Sequence, residues 1–251
     1  MFAGRKILAV VPARGGSKGI PRKNLTKVGD SSLLERVAAI VRAITWIDEA
    51  VLSTDDEEIA RVGADSGLKV VRRPDELATD LASSTDVWRH AWLEAEGDAG
   101  GLFDLGVLLQ PTSPLRTTAD VMACVQLLID EDRDVVISIS PTPSHFTPEK
   151  TVTINDRNGL IPYLDEGFTS LRQEIRPYYF VNGYCYAAVR HRIVDEMAIH
   201  GTNVGAVIVD RPVVNIDDAF DLEVAEWLLR REQRSVIPEN VRDSRPGSNQ
   251  P

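Results

Sequence analysis

The chain has 251 residues, of which 43% are hydrophobic and 26% charged, and its net charge is −10. That length suits one large α/β domain, and the ordinary apolar content excludes an extended disordered protein. The acidic balance speaks against a broad nucleic-acid surface, so any anionic ligand has to meet Arg and Lys gathered locally in a cleft.

Residues 7–11 form a short apolar run, which predicts a strand buried on both faces and is far too short for a membrane span. With no signal-peptide pattern, the expected compartment is the cytoplasm. The run stops at Pro12 and gives way to Ala13-Arg14-Gly15-Gly16-Ser17-Lys18-Gly19-Ile20-Pro21-Arg22-Lys23-Asn24. Residues 32–44 read as a helix with Leu33, Leu34, Val37, Ile40 and Val41 on one side. Ser31 or Ser32 stands at its cap, and Glu35 is placed to complete a capping box with Ser32. A strand over 49–53, a helix over 57–66 closed by Gly67, and a strand over 68–71 follow. Residues 83–94 predict a helix with Val87, Ala91 and Leu93 inward, then a turn over 98–101 and a strand over 105–109. A helix over 118–130 and a strand over 135–140 complete the regular part. This alternation predicts an α/β fold, doubly wound around a mostly parallel sheet.

Between 141 and 177 proline, charge and short β-like pieces replace the alternation, which marks an excursion that contacts substrate or a second subunit. The apolar pattern resumes over 178–189 and 204–209, and a last helix covers 222–230 and extends a few residues further. Residues 239–251 lack periodicity and read as a mobile tail beyond a single domain of residues 1–238. Cys124 and Cys185 have no metal-ligand spacing and are expected to be reduced and buried. The four histidines form no ligand or nucleophile motif.

The first loop carries the strongest chemistry. A glycine-rich turn after a strand brings backbone N–H groups toward phosphate, while Arg14, Lys18, Arg22 and Lys23 supply charge. The spacings of the P-loop and of the dinucleotide fingerprint are absent. The alternative is a surface turn with solvated charge.

That loop resembles the opening motif of the acylneuraminate cytidylyltransferase family, the CMP-sialic acid synthetases. The resemblance continues through Ser53-Thr54-Asp55-Asp56-Glu57-Glu58-Ile59-Ala60 and Arg73-Pro74-Asp75-Glu76-Leu77-Ala78 with Asp80, Ser83 and Ser84. It extends to Leu109-Gln110-Pro111-Thr112-Ser113-Pro114-Leu115-Arg116, Asn182-Gly183 with Tyr186, and Asn215-Ile216-Asp217 with Asp221. It implies transfer of CMP from CTP to N-acetylneuraminic acid or a related nonulosonic acid, with release of pyrophosphate. It also implies magnesium, with manganese as a substitute, and a homodimer in which the excursion covers the partner's cleft; neither nucleic acid nor a membrane is an expected partner.

The resemblance assigns Arg14, Gly15, Ser17, Lys23 and Asn24 to the nucleotide loop, and Arg73, Ser84 and Gln110 to further nucleotide recognition. Gln110 also reaches the sugar junction, together with Lys150, Arg172 and Tyr186. Arg14, Lys18 and Lys23 suit the charge of a departing pyrophosphate. Solvated loop charge is the competing reading of Lys150 and Arg172. Asn215-Ile216-Asp217 stands where the family usually has Asp-x-Asp. Asp217 is a carboxylate suited to magnesium, whereas Asn215 offers a neutral amide oxygen, directly or through water. Asp218 and Asp221 are possible compensating groups, Asp221 equally a helix cap. Another acidic sugar, a phosphonate-like acceptor, or a catalytically weak binding protein are the competing functions.

Overall fold

A computed structural model describes residues 1–165, 167 and 175–236. The strands are β1 (Ile7–Pro12), β2 (Lys27–Val28), β3 (Ser31–Ser32), β4 (Glu49–Thr54), β5 (Lys69–Arg72), β6 (Leu105–Leu108), β7 (Val135–Pro141), β8 (Val152–Ile154), β9 (Leu160–Pro162), β10 (Tyr179–Val189) and β11 (Val204–Ile208). The helices are α1 (Leu33–Ala43), α2 (Glu57–Asp65), α3 (Ser84–Ala99), α4 (Thr118–Asp130), α5 (Arg190–Val194) and α6 (Ala219–Val236). Seven strands form one sheet in the order β11-β7-β10-β6-β1-β4-β5. Six of them run parallel, and β10 lies antiparallel between β6 and β7.

Both faces of this sheet are covered, as the unbroken apolar run in β1 requires. Ile7, Ala9 and Val11 point into one core with α1, α2 and α4, while Leu8 and Val10 point into the other with α3 and α5. The doubly wound α/β expectation is met. The expected capping box is present: Ser32 Oγ accepts from Glu35 N–H, and Glu35 Oε2 accepts from Ser32 N–H at 2.7 Å. Gly67 follows α2 with φ +85°, the left-handed stop expected of it. Cys124 and Cys185 are free and buried.

Several boundaries differ. α3 runs on to Ala99, and Gly100, with φ +62°, ends it, so Asp98 is helical rather than part of a turn. Its inward face is Val87, Trp88, Ala91, Trp92 and Ala95, and Leu93 is exposed rather than inward. The two indoles fill the face that a periodicity of smaller residues assigned to Leu93. Gly106 of β6 makes this possible, since a Cβ there would lie 2.2 Å from the Trp92 ring.

α6 begins at Ala219, earlier than expected. Asp218 Oδ1 accepts from the N–H groups of Phe220 and Asp221 at 2.9 and 3.1 Å. Asp221 Oδ2 accepts from those of Asp217 and Asp218 at 2.8 and 3.1 Å. Both carboxylates thus build the helix start, the capping role expected as an alternative for Asp221. In the excursion, β8 and β9 pair as an antiparallel hairpin on which Val152, Ile154, Leu160 and Ile161 are exposed. Arg172 and residues 239–251 lie outside the described residues.

Candidate active site at the switch point of the sheet

From β1 the sheet grows in one direction through β4 and β5 and in the other through β6. The loops leaving the carboxyl ends of β1 and β6 therefore diverge, and a crevice opens between them. It is a cleft of 610 Å³ lined by Arg14, Ser17, Lys18, Lys23, Asn24, Arg73, Ser84, Gln110, Asn215 and Asp217, among others. Ten residues singled out in the sequence thus meet in one place, although they are spread over some two hundred positions of the chain.

The first loop is braced from beneath. Ala13 N–H donates to Ser53 O at 3.0 Å, and Gly15 N–H donates to Asp55 Oδ1 at 3.0 Å. Asn24 is buried and donates from Nδ2 to Arg14 O at 3.0 Å, so it fixes the backbone of the loop. Lys23 Nζ reaches Ile216 O at 2.8 Å and Asp217 Oδ1 at 3.0 Å, tying the loop to the late acidic segment. Arg22 does not serve the cleft. Its backbone turns through φ +53°, and its guanidinium is paired with Glu58 and lies 3.7 Å from Asp56, on the first turn of α2.

Arg73 is buried beside β4, donating to Ser53 Oγ at 3.1 Å and Ser53 O at 2.8 Å. Burial, aided by the nearby Arg14 charge and opposed by Asp55, lowers its pKa to about 10. It remains a cation at neutral pH. Ser84, the first residue of α3, also lines the cleft, with the preceding Ser83 capping the helix.

Gln110 stands just past β6, and its setting depends on Arg116, a residue whose role the motif did not disclose. Arg116 is buried, and its fork donates to Gln110 O at 2.6 Å, Gly183 O at 3.2 Å and the Tyr184 carbonyl. Burial pushes its pKa down to about 10, so it too keeps its charge. Gly183 adopts φ +72°, and a Cβ on it would lie 2.9 Å from Gln110 Oε1 and 3.1 Å from Ser113 Oγ. A side chain there would displace the amide from the cleft.

The late segment is pinned to the same loop. Ile216 N–H donates to Thr112 O at 2.8 Å, and Ser113 Oγ lies 3.4 Å from Asn215 Oδ1. Asn215 and Asp217 both line the cleft, on the same side of the extended segment. Among the described residues, no three His, Cys, Asp or Glu groups gather as a metal cage. One carboxylate with an amide oxygen nevertheless fits magnesium, which takes one or two protein oxygens and completes its shell with phosphates and water.

Not every expected residue belongs to the cleft. Gly15 supports the loop but is absent from the lining. Lys150 is exposed in a short 3₁₀ turn, Pro148–Lys150, in the excursion. Tyr186 lies on β10 opposite Leu108 and Ile137, partly buried against the core beneath α3.

A glycine- and arginine-bearing loop at the switch point makes this an α/β fold suited to a phosphate-bearing ligand. A CMP:2-keto-3-deoxy-manno-octonic acid synthetase, solved in complex with CTP, shares it with a TM-score of 0.69 at 19% identity, over 90% of this chain and 99% of its own. Residues 8–184 match the cytidylyltransferase family, and the chain belongs to it. It is a CTP-dependent cytidylyltransferase. The chain is 28% identical over 227 residues to the post-translational flagellin modification protein B of Campylobacter coli, covering 90% of this chain and 95% of that protein. It is likewise 28% identical over 234 residues to the N-acylneuraminate cytidylyltransferase of Escherichia coli O18:K1:H7, covering 92% of this chain and 54% of that enzyme. No helix among the described residues is long and apolar enough to cross a membrane.

Proposed function

We propose that the protein transfers CMP from CTP to the anomeric hydroxyl of a nonulosonic acid, N-acetylneuraminic acid or a close relative, releasing pyrophosphate. The carrying observation is that cations from the first loop and directional groups from the end of β5, the start of α3 and the end of β6 converge in one cleft. In this reading Arg14, Lys18 and Lys23 hold the triphosphate and neutralise the charge that grows on the pyrophosphate as the Pα–O bond to it breaks. The sugar hydroxyl oxygen forms the new bond to Pα as its proton passes to water. Arg73 and Ser84 orient the nucleoside, and Gln110 sits at the junction where hydroxyl and Pα meet.

Asp217, with Asn215, would hold a magnesium ion, which when bound lowers the charge of the phosphates. Manganese suits the same oxygen donors. Tyr186, Lys150 and Arg172 are assigned to the sugar acid by the family resemblance rather than by the lining of the cleft, and the exposed apolar hairpin β8–β9 supports a homodimer in which the excursion covers a partner's cleft. A cytoplasmic setting agrees with two reduced, buried thiols.

The test is incubation with CTP, magnesium and a panel of nonulosonic acids, measuring acceptor-dependent pyrophosphate and the mass of each product. A CMP-linked sugar is the expected product, and Arg14→Ala and Lys23→Ala should each lower kcat/KM by at least about a hundredfold. Silence across the panel, from folded protein that still binds CTP, would move the assignment to another acidic acceptor or to a binding protein.

A further inference from the structure

Two of the cations in the first loop point at the same carboxylate. Arg14 Nη2 lies 2.6 Å from Asp80 Oδ1, and Lys18 Nζ lies 2.7 Å from Asp80 Oδ2. Arg14 also donates to Ala78 O at 3.4 Å, so the guanidinium leans on the segment that carries Asp80. This segment, with Thr79, Asp80 and Ala82, lines the same cleft as the glycine-rich loop. Asp80 is not spent on the helix that follows, because Ser83 caps α3. Bridging an arginine and a lysine with two oxygens is what a phosphate group does, and the carboxylate occupies that role across the mouth of the cleft.

We propose that Asp80 is a specificity-determining counter-anion for the nucleotide. It keeps Arg14 and Lys18 paired and aimed into the cleft, and an incoming ligand has to replace it on both cations. This inference rests on the reading of Arg14 and Lys18 as phosphate-binding groups. The exchange grades ligands by charge. A triphosphate carries enough negative charge to displace the carboxylate from both partners, whereas a nucleoside leaves the bridge closed and gains nothing from either cation. A nucleoside monophosphate falls between the two. The same exchange run backward helps pyrophosphate leave, since Asp80 recaptures the cations as the product departs. The pairs are partly exposed, Asp80 at 43% and Lys18 at 81%, so the bridge is weak enough to be replaced and is screened by salt. The lowered pKa of Asp80, held down by Lys18 and Arg14, keeps the carboxylate charged at neutral pH.

The experiment is calorimetric titration of the full chain, as wild type, Asp80→Asn and Arg14→Ala, with CTP, inorganic pyrophosphate and cytidine at low salt. Asp80→Asn removes the competing charge from a partly exposed site, and circular dichroism verifies that the fold is kept. CTP and pyrophosphate should bind Asp80→Asn more tightly by about three- to tenfold, the size expected for releasing two exposed ion pairs, with cytidine unchanged. Arg14→Ala should weaken CTP and pyrophosphate. If Arg14→Ala weakens them while Asp80→Asn leaves them unchanged or weaker, the phosphate reading stands and the role of Asp80 is overturned. Equal tightening of cytidine overturns it as well, since the effect would not pass through phosphate. Should Arg14→Ala bind CTP as the wild type does, both the phosphate reading and this inference fall.

Discussion

At the scale of single residues, the cleft separates side chains that meet ligand from side chains that hold the others still. Arg116 belongs to the second kind. Its guanidinium is buried and bonded to three carbonyls, one just past β6 and two within β10, a geometry that a lysine ammonium cannot copy. Arg116→Lys should therefore destabilise the protein by about 2 kcal/mol in urea unfolding. Gln110→Ala, which removes only a group lining the cleft, should stay within about 0.5 kcal/mol of wild type yet lower kcat/KM by at least about tenfold. Equal stability losses would mean that Gln110 also supports the fold. The ligand-facing residues were legible in the sequence because the first loop and the segment at Gln110 are continuous motifs. The supports were not. Arg116 stood in plain view as the last residue of a motif, but its partners at 183 and 184 are supplied by a strand whose position only the tertiary structure sets. Asp80 was likewise visible as a motif residue while its pairing was not, since its cations lie more than sixty positions away. Arg22 shows the opposite failure: a cation inside the motif is turned outward by one left-handed residue, and composition carries no trace of that turn.

At the scale of elements, periodicity located the strands and helices because burial on both faces leaves a continuous apolar run and burial on one side leaves a stripe. The run at residues 7–11 and the capping box at Ser32 and Glu35 are examples in which one local physical requirement decides the outcome. It failed where packing is made by unlike partners. In α3 the inward face is built of two indoles and ends at Glu96, an acidic residue that no hydrophobic pattern would turn inward. Trp92 donates to Glu96 Oε1 at 3.0 Å, and its ring lies against Gly106. Gly106→Ala should cost about 2 kcal/mol, because the added methyl meets a buried ring with no room to retreat. An unfolding midpoint equal to wild type would mean that α3 can slide. The direction of β10 was equally hidden, since an apolar strand reads the same whether its neighbours run with it or against it.

Across the whole molecule, two buried carboxylates join elements that are distant in sequence. Glu96 of α3 accepts from Arg190 of α5 at 2.8 Å through both oxygens, and Asp120 of α4 pairs with Arg211 beyond β11. Burial alone would raise both acids, but for Glu96 the Arg190, Phe103 and Trp92 donors outweigh it, and for Asp120 the Arg211 and Thr117 donors do. Each therefore titrates below its ordinary value, 4.5 for Glu and 3.8 for Asp. A carboxyl with a lowered folded pKa stabilises the fold above its unfolded value, and that contribution is lost as the pH falls through the folded one. Thermal unfolding followed between neutral and about pH 3 should thus show a midpoint that holds steady and then drops below about pH 4.5. Glu96→Gln should start lower and drop less, and a parallel curve would assign the acid sensitivity elsewhere.

The placement of β10 carries a consequence for how the chain comes into being. The strand that closes the middle of the sheet begins at Tyr179, long after its neighbour β6 has ended at Leu108. While the polypeptide is still leaving the ribosome, β6 has satisfied one side only, and β7 waits for partners on both. A nascent chain halted before Tyr179 is therefore a set of unpaired strand edges offered to its neighbours on the polysome, not a smaller folded domain. The seam at the centre of the finished enzyme is among the last parts of it to be sewn.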